Sequence, residues 1–197
     1  MPIIRPAETA DVDAAVVTLR AAFADYPFTR HTLAAEGYSD RLAESQRLFL
    51  TRVGLRHGRV WVSEDVAAVA AWTTPDSTGL DEAFAELEPR MRELAGDRAA
   101  LSEAAEDALN PHRPREPAWF LGTVGVLPDR QGRGLGRAVV EPGLRAADEQ
   151  GAPAYLETSL PGNVAFYRGL GFEVVAEVEL PGGGPTTWAM SRPPVTR

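Results

Sequence analysis

Residues 124–140 read VGVLPDRQGRGLGRAVV, and the reading of this stretch decides the fold. It opens as an apolar strand at Val124-Gly125-Val126 and passes Pro128-Asp129. It then turns through Gln131-Gly132-Arg133-Gly134-Leu135-Gly136 and leaves as a helix start at Ala138-Val139-Val140. A strand feeding a glycine-rich turn at a helix N-terminus gathers unpaired backbone N–H groups at one point, and the helix dipole adds partial positive charge there. Such an assembly suits a phosphate or pyrophosphate. Spacing narrows the choice. A nucleotide P-loop needs G-x-x-x-x-G-K-[ST], and neither lysine nor a hydroxyl residue follows Gly136. A dinucleotide fingerprint needs G-x-G-x-x-G near the first strand, with an acid about 20 residues on. Here the glycines run G-x-G-x-G in the second half of the chain. Both patterns are excluded, and what remains is Q/R-x-x-G-x-G after a V-x-V strand.

Composition bounds the rest. At 197 residues, with 44% hydrophobic and 24% charged content, the chain suits one soluble globular domain spanning 1–197. There is no cysteine, so no disulfide, thiolate nucleophile or thiolate metal site can form. His31, His57 and His112 have no metal-ligand spacing, and no metal is expected. The net charge of −8 argues against a nucleic-acid binder, which needs a basic face, and is compatible with a cationic small substrate. No stretch is apolar for long enough to span a bilayer, and the N-terminus lacks the apolar run of a signal peptide. No membrane partner and a cytoplasmic location are therefore expected, with the chain a monomer or homodimer.

Taken in order, Pro2 to Arg5 reads as a strand, and Thr9 as the N-cap of a helix with Val12, Val16, Leu19 and Phe23 at helical spacing. Asp25 to Gly37 reads as a turn-rich aromatic loop bordering a pocket, and Tyr38 to Val53 as a second helix. Arg59–Val62 and Ala67–Trp72 form a hairpin. A helical insertion, 76–110, breaks at Gly96-Asp97. It carries ten acids (Asp76, Asp81, Glu82, Glu86, Glu88, Glu93, Asp97, Glu103, Glu106, Asp107) against Arg90, Arg92 and Arg98, which suits either an incoming cation or a solvated face. The HRPREP connector leads to a central strand, Ala118 to Leu127. Alternation there sets Trp119, Leu121 and Thr123 against Phe120, Val124 and Val126, with both faces buried. Pro142 predicts a kink or restart near Ala138 to Glu141. Ala154–Ser159, a helix at Val164–Leu170 stopped by Gly171, and strands at Phe172–Leu180 and Thr186–Met190 complete a mixed α/β order.

Leu156-Glu157-Thr158-Ser159 followed by Asn163-Val164-Ala165-Phe166-Tyr167-Arg168-Gly169-Leu170-Gly171-Phe172 gives N-x-x-x-x-Y-x-x-x-G-F after a short strand. With the glycine turn, in this order and spacing, the chain resembles the GNAT acyl-CoA-dependent N-acetyltransferases. From about Phe23 to Trp188, the stretches AAFADYP, FLTRVGL, AAVAAWTTP, PHRPREPAWFLGTVGV, QGRGLG and LETSLPGNVAFYRGLGF are similar to those of the puromycin N-acetyltransferases within that family. The similarity includes the connector and is looser over Thr78 to Asn110. It implies a three-layer α/β/α fold. The central sheet would be mixed, mostly antiparallel and twisted, with the helical insertion ahead of the central strand. It also implies acetyl-CoA as co-substrate, and as acceptor the α-amino group of puromycin or another amine (another aminonucleoside, a polyamine or a peptide N-terminus), with a non-enzymatic acyl-CoA-binding sensor as the remaining alternative.

The resemblance further implies roles. Val124 and Val126 would pair with the pantetheine arm like an added strand, and a backbone N–H there would serve the oxyanion. Amides of Gln131, Gly132, Arg133, Gly134, Gly136 and Arg137 would cradle the pyrophosphate, with Arg133 and Arg137 adding charge. Asn163 would fix the pantetheine or adenosine side. Tyr167 would act as general acid toward the sulfur, a phenol of pKa ~10 against a thiol of ~8.5, unless it only packs beside Phe166. Glu157 would take the amine proton directly or through water, or else cap a neighbouring loop. Tyr26 is its rival, or a pocket wall. Phe28 and Trp119 would stack an aromatic acceptor, unless Trp119 belongs to the core.

Overall fold

The computed structural model describes residues 2–195 as a seven-stranded sheet flanked by helices on both faces. In chain order the strands are β1 (Ile4–Pro6), β2 (Arg59–Ser63), β3 (Ala68–Thr73), β4 (Trp119–Val126), β5 (Ala154–Thr158), β6 (Glu173–Glu179) and β7 (Thr186–Arg192). They lie in the order β1-β2-β3-β4-β5-β7-β6, antiparallel throughout except for the parallel pair β4–β5. The helices are α1 (Val12–Ala22), α2 (Pro27–Thr32), α3 (Tyr38–Leu48), α4 (Leu55–His57), α5 (Leu80–Ala95), α6 (Ala99–Leu109), α7 (Leu135–Gln150) and α8 (Pro161–Arg168). On one face α7 and α8 bury Val139, Val140, Leu144 and Val164 against Trp72, Trp119 and Leu121. On the other, Val16, Leu19 and Leu50 cover Val60, Val62 and Val69. The sheet thus has two apolar faces, and α5–α6 form the insertion ahead of β4.

Three local expectations are corrected. Thr9 is not the cap. Glu8 takes that position for a short 3-10 turn, Thr9–Asp11, and its backbone N–H donates to the Asp11 carboxylate at 2.8 Å. The Arg5 guanidinium grips the same carboxylate at 2.7 Å on both oxygens and, with that N–H, holds its pKa down at about 2. The segment 25–37 is not all loop, because Pro27 sits at the first position of α2, where its missing N–H has no intrahelical partner to lose. And α7 neither breaks nor restarts at Pro142. Its apolar stripe lies on β2, β3 and β4, and packing of that length outweighs one lost hydrogen bond.

The close approach of α7 to the sheet is made at Gly143. A Cβ there would lie 2.5 Å from the Trp72 indole, which is fully buried and has nowhere to retreat. Gly→Ala inside a helix normally gains up to about 1 kcal/mol. At this position the overlap reverses the sign, and Gly143→Ala is expected to destabilise the fold by about 1–3 kcal/mol. A lowered urea midpoint with unchanged slope would show it; an unchanged midpoint would mean that α7 does not seat on Trp72 as closely as described.

The second half of α3 continues as a π-helical turn, Phe49–Gly54, so the expected helix to Val53 runs on with altered pitch. Beneath it, β4 departs from simple alternation. Ala71 pairs with Thr123 but Trp72 pairs with Leu121, so Gly122 is an extra residue in a β-bulge. The bulge shifts the side-chain phase. Val124 and Val126 pack with Trp119 and Leu121 against α7 and α8, whereas Thr123 donates to Gln46 of α3 and Gly125 lies under Leu19 and Ala22 of α1. Phe120, Val124 and Val126 are only half-buried, which corrects the expectation of two fully buried faces along the strand.

Candidate active site

Three elements converge where β4 and β5 part. The two strands pair only at Trp119–Ala154 and Phe120–Tyr155, while β4 stays paired with β3 as far as Val126 and β5 with β7 as far as Thr158. From Leu121 onward the β5-facing edge of β4, including Val124 and Val126, has no strand partner among the described residues. It is an open edge inside a sheet, the geometry that accepts an extended chain by backbone pairing.

The glycine turn lies at the wide end of this opening. After the short turn Pro128–Arg130, Gly132 and Gly134 adopt φ of +74° and +79°, and Gly134 is the N-cap of α7. Left-handed backbone at such positions is what lets a glycine turn present successive N–H groups together. A Cβ at either glycine would meet nothing within 4 Å, so the space beside this turn is open. Gln131 braces it by donating from Nε2 to the Val126 carbonyl at 3.2 Å. Arg133 is exposed. Arg137 is engaged elsewhere: it donates to the Gly169 carbonyl at 2.7 Å and lies 3.9 Å from Glu141, tying α7 to the end of α8.

Tyr167 projects from α8 and is buried, edge-on to Phe166 and Phe172 at 5.1 and 5.8 Å between ring centroids. Its hydroxyl makes no hydrogen bond to another described residue. Burial, and secondarily the neighbouring Tyr26, push its pKa above the ordinary phenol value. The Tyr26 hydroxyl accepts the Ser159 N–H at 2.8 Å and lies 3.3 Å from Thr158 Oγ1, so it closes the C-terminal end of β5. Asn163 donates to the same Thr158 oxygen at 3.0 Å. Tyr26, Thr158 and Asn163 form one polar bridge beside Tyr167.

Glu157 sits on β5 with both oxygens engaged. Arg113 donates to them from Nε and Nη2 at 2.8 and 3.0 Å, and the Tyr155 hydroxyl adds a bond of 3.0 Å. Burial and the Glu157 charge drive the Tyr155 hydroxyl to a raised pKa. Neither Arg113 nor Tyr155 stood out in the sequence. The nearest signal was the connector HRPREP, where prolines on either side stiffen an arginine. Phe28 is half-buried against Ala105, Leu109 and Leu180 at the insertion. Trp119 does not face the opening. It is 3% exposed in the core, edge-on to Trp72, and donates to Gln150 at 2.8 Å, which corrects its place on an acceptor wall. A cavity of about 330 Å³ between α7 and the end of α8 is lined by Arg137, Glu141, Arg145, Asp148 and Arg192, and by neither Tyr167 nor Glu157.

Among the described residues no group of three or more histidines and carboxylates is placed to hold a metal, and no helix is long and apolar enough to cross a membrane.

Comparison with known proteins agrees with this geometry. The model of the acetyltransferase (GNAT) family matches residues 30–172. An uncharacterized N-acetyltransferase of Schizosaccharomyces pombe is 26% identical over 181 residues, 84% of this chain and 72% of the yeast protein. A Corynebacterium glutamicum structure described as a histone acetyltransferase and related acetyltransferase superposes with a TM-score of 0.76 at 25% identity, covering 100% of this chain and 98% of that one. A Drosophila melanogaster polyamine N-acetyltransferase shares the fold, with a TM-score of 0.58 at 13% identity over 98% and 100% of the two chains.

Proposed function

Because this chain belongs to the acetyltransferase (GNAT) family and is an acetyl-CoA-dependent N-acetyltransferase, we propose that its acceptor is puromycin or a close aminonucleoside, acetylated on the free amino group by direct attack on the thioester. The observation that carries the cleft assignment is the parting of β4 and β5 beside an open glycine turn. The acceptor rests on the sequence stretches shared with the puromycin enzymes, above all the connector 111–117 and the segment 21–27. A cytoplasmic location belongs to the same proposal.

The residues fit acetyl-CoA, which supplies an activated acyl carbon. Backbone groups of Val124 and Val126 hold the pantetheine arm, and the amides around Gly132 and Gly134 hold the pyrophosphate, with Arg133 free to add a charge-assisted bond. A backbone N–H in the Val124–Val126 stretch serves as the oxyanion donor. Glu157 takes a proton from the acceptor amine, directly or through a water, and Tyr167 returns one to the departing sulfur. Asn163 fixes the pantetheine or adenosine side of the donor, and Tyr26, at the end of β5, is the rival base or a wall of the acceptor pocket.

A second acceptor class has its own support. The insertion is rich in acids, and one structural relative is described as acting on polyamines, so a linear cationic amine is the alternative. Thiol release from acetyl-CoA with puromycin, spermidine and a peptide N-terminus separates the readings. Puromycin is expected to give the highest kcat/KM. A polyamine that exceeds it would reassign the acceptor.

A further inference from the structure

Arg113 follows the turn Asn110–His112 that ends the insertion, and Pro114 fixes the chain directly after it. Besides its two bonds to Glu157, it donates from Nη1 to Glu106 of α6 at 2.8 Å. The Arg113 and Glu157 side chains are 30% and 13% exposed, so water screens this pair only in part. The guanidinium lies 5.9 Å from the centre of the Phe120 ring, which stacks on Tyr155 at 5.5 Å. Three donors therefore reach Glu157, and they are divided unevenly. Oε1 takes Arg113 Nε and the Tyr155 hydroxyl, whereas Oε2 takes only Arg113 Nη2. A carboxylate oxygen has about two acceptor sites, so Oε2 retains one and Oε1 none.

We infer that Arg113 is a positioning residue for acetyl transfer: it fixes the Glu157 carboxylate so that Oε2 meets the acceptor amine, and its arm to Glu106 couples that orientation to the docked insertion. The inference rests on the reading that Glu157 faces the acceptor beside the β4–β5 opening. An unpaired glutamate samples several rotamers, and a planar two-point grip removes that freedom before the amine arrives. Lysine keeps the charge and loses the fork.

The test is a mutant cycle on the purified full chain with the best amine from the acceptor screen. Arg113→Met is expected to lower kcat by about 10–100-fold, the scale of a misplaced reacting group, with KM for acetyl-CoA within about twofold. Arg113→Lys should recover only a small part. Adding Glu157→Gln to Arg113→Met should cost little more, because both changes remove one arrangement. The inference is overturned if the two losses multiply, or if Glu157→Gln alone turns over like wild type. It also falls if Arg113→Met alters only KM for acetyl-CoA or the melting temperature. A wild-type chain that releases no thiol with any amine overturns the acetyl-transfer reading itself, and the inference with it.

Discussion

Tyr167→Phe is expected to lower kcat by about a hundredfold or more while acetyl-CoA binds within about twofold of wild type. The substitution removes one oxygen and leaves the ring, so the edge-on contacts with Phe166 and Phe172 persist. The hydroxyl bonds to no other described residue, so its loss breaks no internal network, and a fall in turnover reports the proton it delivers. The pH dependence follows from sign. Burial, with Tyr26 nearby, favours the neutral phenol and raises its pKa. The donor therefore stays protonated as pH rises through the alkaline range, and no loss of kcat below about pH 10 should trace to this group. Rapid-quench measurement of the chemical step across pH would show it. Wild-type turnover in Tyr167→Phe would remove the general acid from the account.

Gly134→Val is expected to act on the donor instead. At φ of +79° a β-branched residue is strained by about 1–2 kcal/mol, yet its Cβ would meet no protein atom within 4 Å. It would project into the space proposed for the pyrophosphate. Acetyl-CoA affinity measured by calorimetry should fall by about tenfold or more, a loss of about 1.4 kcal/mol for each factor of ten. Melting temperature should drop by only a few degrees, the effect of the backbone strain alone. Unchanged affinity would move the pyrophosphate away from this turn. The two variants thus separate donor binding from chemistry, since each is expected to spare what the other damages.

What the sequence revealed was local. The turn 131–136 and the run 163–172 carry much of their geometry in their own residues: Gly132, Gly134 and Gly171 take positive φ, whereas the helix expected over Val164–Leu170 starts earlier, at Pro161, and its regular part ends at Arg168. The hairpin β2–β3 and the break at Gly96 were legible for the same reason. The bulge at Gly122 was not, because it is defined by pairing with β3 some fifty residues earlier, and a strand read alone shows only alternation. Nor was the Arg113–Glu157 pair, whose members lie 44 residues apart and meet only after α6 docks. Trp119 shows the converse error. Aromatic character suggested a ligand wall, but Trp119 packs in the core with Val139, Val140 and Leu144 of α7, and Gln150 satisfies its indole N–H. Pro142 predicted a kink or restart near Ala138 to Glu141, and α7 runs through it without restarting.

The measurement that bears most directly on the central claim is rapid mixing of the protein with acetyl-CoA, first alone and then with puromycin. Direct transfer at the β4–β5 cleft predicts no stoichiometric release of thiol before the amine is added. It then predicts steady release at one thiol per N-acetylated puromycin. A burst of thiol without amine, or no release once puromycin is present at saturating acetyl-CoA, would contradict it.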